Sequence, residues 1–105
     1  MTSITVIKEN NRIVAFTCNG HAGYAKTSKD IVCSAISILI INTINSIETL
    51  TTTVPIIETD EKDGYIHCSF EDDITDDAAL LLDSMFLGLS GIEKDYNGRF
   101  VKVKA

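Results

Sequence analysis

A chain of 105 residues, 45% of them hydrophobic and only one a proline, suits a single packed domain over residues 1–105 rather than a disordered segment. Its net charge of −6 gives no general attraction to phosphate backbones, which disfavours direct nucleic-acid binding. Three cysteines, an odd number, argue against a disulfide framework. The opening Met1-Thr2-Ser3-Ile4 lacks the basic-then-apolar pattern of a secretory signal, so a reducing cytoplasm is the expected compartment.

Ile4 to Lys8 alternates apolar and polar residues and predicts a strand. Glu9-Asn10-Asn11-Arg12 reads as a turn, because Asn tolerates the positive φ of a tight hairpin, and Ile13 to Cys18 is the returning strand. Asn19 to Lys29 has two glycines and no apolar period, which predicts a loop. Asp30 has the side chain of an N-cap, and a helix is predicted from Ile31 to about Thr49. Its apolar face is Val32, Ala35, Ile36, Leu39, Thr43, Ile47 and Leu50, but Ile38, Ile40, Ile41 and Ile44 widen the stripe to most of the circumference. A helix apolar nearly all round is buried on more than one side, which in so small a domain predicts a second subunit. The most apolar part, Ile31 to Ile41, reads as too short to span a bilayer, so no membrane contact is expected.

Val54 to Thr59 and Tyr65 to Phe70 predict a second hairpin around Glu61-Lys62-Asp63-Gly64. Thr75 or Asp73 caps a second helix of about Asp76 to Gly91, with the face Ala78, Leu81, Leu82, Met85, Phe86, Leu89 and Ile92. Asn97-Gly98 then turns into a last strand, Arg99 to Lys104. The order ββαββαβ predicts an α+β fold in two layers, a largely antiparallel sheet packed with two helices. Acidic residues collect at Glu71, Asp72, Asp73, Asp76 and Asp77. They suit the positive end of the following helix, or a surface for a basic partner.

The chemistry-bearing stretch is Gly20-His21-Ala22-Gly23 followed by Asp30-Ile31-Val32-Cys33-Ser34. With Asp30 as N-cap, Cys33 falls in the first helical turn, where unpaired amides and the helix dipole favour a thiolate. His21 is the imidazole that would take the thiol proton and later protonate a leaving amine. Gly20 and Gly23 free the histidine loop to approach a substrate backbone, and the amides of Cys33 and Ser34 are candidate oxyanion donors. Ser37, one turn after Cys33, would line the same site or bond a backbone carbonyl. His67 and Cys68 are adjacent on a strand and point to opposite faces, and no CxxC, HxxxH or HExxH spacing occurs, so neither metal nor cofactor is expected.

These two motifs, with Ala35 and Ser37 on the helix, resemble the ribosomal-processing cysteine protease family (Prp), and the resemblance extends over the whole chain in length and element order. It implies a cysteine endopeptidase with Cys33 as nucleophile and His21 as general base. The implied substrate is a ribosomal protein precursor, the twenty-seventh of the large subunit, trimmed of its N-terminal extension during ribosome maturation. It also implies a homodimer and a histidine–cysteine loop that orders over bound peptide. Ser28 stands where the family commonly has glycine and Ser34 where alanine is usual, and neither change removes a catalytic group. The motif supplies no third catalytic residue, so Asp30 is expected to support the site. The alternative reading is a non-catalytic ribosome-assembly factor that binds a ribosomal protein through segment 71–77. A thiol sensor pairing Cys18 with Cys33 is a further one.

Overall fold

The computed structural model describes residues 2–20, 28–60 and 64–105, with backbone only for residues 28–30. The readings at His21, Ala22, Gly23 and the hairpin residues Glu61-Lys62-Asp63 lie outside the described residues, as does the side chain of Asp30.

The elements follow the expected order: β1 Thr2–Glu9, β2 Arg12–Asn19, α1 Ser28–Leu50, β3 Pro55–Asp60, β4 Tyr65–Phe70, α2 Asp76–Asp95 and β5 Val101–Lys104. They form an α+β domain whose single sheet has the order β3-β4-β2-β1-β5. Three pairings are antiparallel, and β5 runs parallel to β1, so the sheet is mixed. The β1–β2 turn places Asn10 at φ 52° and Asn11 at φ 65°, the left-handed values that asparagine tolerates. The register slips between Ile7 and Lys8: Ile7 pairs with Ala15 and Lys8 with Ile13, leaving Val14 as the extra residue of a bulge.

Alternation along the strands puts Ile4, Val6, Phe16, Cys18 and Cys68 on one sheet face, where all are buried. Ser3, Thr5 and Ile7 point the other way and are exposed. The helices cover the first face, α2 towards β5 and β2 and α1 towards β3. They run antiparallel: Leu39 of α1 meets Gly88 of α2, and Thr53 after α1 bonds Thr75 before α2, Oγ1 to Oγ1 at 2.9 Å. Thr75 is the N-cap of α2 and its hydroxyl accepts from the Ala78 amide. Beyond the expected Gly91, α2 continues a further turn to Asp95, then Asn97 and Gly98 turn with φ 55° and 69°.

Helix α1 departs from expectation at its start. It begins at Ser28, so Asp30 is the third helical residue and does not occupy the N-cap. Ser28-Lys29-Asp30 holds no helix breaker, and an acid in the first turn suits the dipole, so the helix extends back over it. The buried face is Val32, Cys33, Ile36, Ile40, Thr43 and Ile47, while Leu50 is exposed at the end of the helix. The stretch Ile31–Leu50 is also longer and more apolar than the reading to Ile41 allowed. With mean hydropathy 1.7 over 20 residues, it has the length and composition to cross a membrane. Its face Val32, Ile36, Ile40 and Ile47 instead joins Ile4, Phe16, Leu82 and Leu89 in one core.

Candidate functional site

Gly20 follows β2 with φ 83°, a left-handed backbone that glycine adopts without a Cβ clash. The chain re-enters the described structure at Ser28, and Cys33 follows as the sixth residue of α1. That position changes the chemistry expected of the helix start. The amides of Cys33 and Ser34 face the carbonyls of Lys29 and Asp30 in the α-helical pattern, so they are not free oxyanion donors. The dipole effect is also concentrated in the first turn, which Cys33 has left.

The Cys33 side chain is 7% exposed. At about 100° per residue it points about 120° round the helix from Leu39, which meets α2. It therefore lies on the flank of α1 turned away from Leu39 and α2. Ser37 is half-buried one turn on, and Ser34 is exposed.

A titratable neighbour of Cys33 is Cys18, on the helix-facing side of β2. Burial, and after it the charge of Cys33, push the Cys18 thiol up from 9.0 to about 11. Cys68, paired through Phe16 in the same sheet, is pushed to about 12 by burial alone, and its Sγ lies 3.8 Å from the Ser69 carbonyl. Both thiols are fully buried and held protonated at neutral pH. All three cysteines are free. The sequence brought Cys18 to Cys33 only in the thiol-sensor reading, although strand alternation from Phe16 already points Cys18 at the helices.

His67 is on the opposite face of the sheet from Cys33. Its Nδ1 lies 2.9 Å from Thr17 Oγ1, and Thr17 alternates with the core-facing Phe16 and Cys18. The expectation that His67 and Cys68 point apart holds. His21, the other histidine of the chain, lies outside the described residues. The acidic segment 71–77 lies elsewhere. Glu71, Asp72 and Asp73 line an open cleft of about 700 Å³ with Glu9 and Phe70, beside Val14, whereas Cys18 and Gly20 lie at the other end of β2.

The profile of the family described as "Cysteine protease Prp" matches residues 1–101. The chain is 31% identical over 91 residues to the ribosomal processing cysteine protease Prp of Staphylococcus aureus, covering 87% of this chain and 86% of that protein. Among solved structures it resembles that of S. aureus Prp in complex with a substrate peptide, with a TM-score of 0.89 and 26% identity over the whole of both chains. It also resembles S. aureus Prp with a covalently linked product peptide. There the TM-score is 0.86 and the identity 28%, over 99% of this chain and 98% of that one.

Proposed function

The chain belongs to the cysteine protease Prp family and is a peptidase of ribosomal-processing type, and on that premise we propose that Cys33 and His21 form its catalytic pair. The observation that carries this is an elimination. Cys18 and Cys68 are sealed in the core as protonated thiols, and His67 is bonded to Thr17 on the far side of the sheet. Cys33 and His21 are what remain. A relative bearing a covalently linked product peptide agrees with nucleophilic catalysis.

In this mechanism the Cys33 proton passes to the His21 imidazole and the thiolate attacks the scissile carbonyl. The tetrahedral intermediate collapses as His21 protonates the leaving amine, which leaves a thioester on Cys33. Water then attacks the thioester, giving its proton to His21, and the thiol is restored. Since the amides of Cys33 and Ser34 are engaged within α1, the oxyanion donors come from other groups. Gly20, Gly23 and Ser37 are assigned to the walls of the site and Asp30 to the helix start that supports it.

The substrate we assign is the precursor of the twenty-seventh large-subunit ribosomal protein, cut at its N-terminal extension. The enzyme acts as a cytoplasmic homodimer. Three free cysteines suit a reducing compartment. Ile31 and Ile38, 65% and 66% exposed and two turns apart on the outer side of α1, suit a subunit contact. The test is cleavage of the precursor by the wild type, Cys33→Ala and His21→Ala. Both variants should lose about a thousandfold or more in kcat/KM. Undiminished cleavage by Cys33→Ala overturns the assignment.

A further inference from the structure

The catalytic pair leaves Cys18 without a role. Its pairing with Ile4 and Ile66 places it on the helix-facing side of β2, where it is fully buried. The other sheet cysteine, Cys68, has an acceptor for its thiol proton in the Ser69 carbonyl. Among the described residues the Cys18 thiol has none. Cys33 is buried beneath α1 on the same side of the sheet, and its charge is felt at Cys18. Among the described residues the backbones of α1 and β2 stay too far apart for a disulfide, so the two thiols face each other without bridging. Their surroundings add little charge. Ile4 and Ile66 flank Cys18 in the sheet, and α2 contributes Leu82, Met85 and Leu89 to the core. Burial holds Cys68 neutral, and the Lys8 ammonium sits at the far end of β1 over Phe86. The side chains of Lys29 and Asp30, next on α1, lie outside the described residues, as does His21.

We propose that Cys18 is a positioning residue for the nucleophile: its S–H turns to Cys33 Sγ and donates to the thiolate once the Cys33 proton has passed to His21. Cys18 keeps its own proton throughout and forms no bond to substrate. A thiol is a weak donor to a neutral acceptor, but a bond to an anion in a water-poor core is stronger. The contact favours the thiolate of Cys33 over the thiol. It supplies a stabilisation that the helix start does not, since Cys33 lies beyond the first turn. The coupling acts in both directions: the Cys33 charge that keeps the proton on Cys18 is itself stabilised by that proton. This inference rests on the cysteine-protease reading and deepens it.

The experiment uses the full chain with Cys18→Val, which keeps the bulk and removes the donor, and Cys18→Ser, which keeps a donor. Labelling of Cys33 by iodoacetamide is followed against pH and located by peptide mapping. Cys18→Val should move the midpoint of Cys33 labelling up by about half a unit or more, which slows labelling about threefold on the acid side. For the precursor peptide, kcat/KM should fall about threefold on its acid limb and recover at higher pH. Cys18→Ser should hold the wild-type midpoint to within about 0.2 unit. A loss of packing alone would lower the rate at every pH and leave the midpoint in place. A Cys18→Val midpoint within about 0.2 unit of wild type overturns the contact and leaves the protease reading standing. Equal upward shifts in Cys18→Val and Cys18→Ser overturn the donor in favour of the bulk of the sulfur. Should Cys18→Val not fold, Cys18→Ala against Cys18→Ser makes the same comparison, and equal midpoints there overturn the contact as well. Labelling needs no substrate, so a wild type that does not cleave removes the protease reading, and the catalytic purpose of the contact with it, whatever the midpoints show.

Discussion

Cys18 and Cys33 are close enough for the charge of one to raise the pKa of the other, yet among the described residues none of α1 comes within 8 Å of β2, Cα to Cα. A disulfide needs Cα atoms about 4.4–6.8 Å apart. The two thiols are therefore neighbours across the helix–sheet interface that cannot bridge without moving the backbone. Mild peroxide treatment of the native protein followed by mass spectrometry should show no Cys18–Cys33 disulfide. A bridge formed without loss of native structure would contradict the geometry and revive the thiol sensor.

Burial makes the three cysteines unequal. Cys18 and Cys68 titrate at about 11 and about 12, against an ordinary value of 9.0. Iodoacetamide at pH 8 should label Cys33 in the native protein and reach Cys18 and Cys68 only in denaturant. Peptide mapping of the labelled sites checks this.

The same shifts make stability depend on pH at the alkaline end. Below pH 9.0 both thiols are protonated in folded and unfolded chains alike, and their contribution is fully present. Above it the unfolded chain ionises while the buried thiols do not, so stability falls as pH rises through 9.0 towards 11 and 12. Chemical denaturation of wild type and Cys68→Val at pH 8 and pH 10.5 should show a smaller alkaline loss in the variant. Parallel curves would show that Cys68 is not held neutral by the fold.

Thr75 ties the segment after α1 to the start of α2. Its amide donates to Thr53 Oγ1 at 3.0 Å, and its hydroxyl accepts from Ala78. Thr53 is 5% exposed, so the pair is largely out of water. Thr75→Ala should cost about 0.5–2 kcal/mol through the lost cap. Thr53→Val should also destabilise, because it strands the half-buried Thr75 amide. Urea denaturation of the single and double variants should give non-additive losses, and strict additivity would break the proposed link.

The Arg12–Asp76 pair is the opposite case. Its atoms are 2.6 Å apart, but the Asp76 side chain is 96% exposed. A double-mutant cycle should find a coupling of about 0.2–1 kcal/mol, shrinking with salt.

Most of the fold was legible because its signals are local. Asn10-Asn11 and Asn97-Gly98 announce their turns through the φ values they tolerate, and the alternation of β1 and the apolar face of α2 follow directly from sequence. The parallel β1–β5 pairing was not legible, since it joins the two ends of the chain and no local residue encodes it. The start of α1 was misread because Asp30 suits both an N-cap and a first helical turn. That error carried the oxyanion assignment of Cys33 and Ser34 with it. The motif residues themselves were readable, but the exposure of Ile57 on the helix-facing side of β3 was not. It arises from α1 leaving an edge strand uncovered, and no single-residue signal marks that.

The most direct measurement is to stop turnover of the precursor peptide, digest the enzyme and locate the acyl adduct by mass. A thioester of the N-terminal fragment on Cys33, absent in Cys33→Ala and strongly reduced in His21→Ala, is the predicted result. Cleavage that proceeds without Cys33, or an adduct mapped to Cys18 or Cys68, would contradict it.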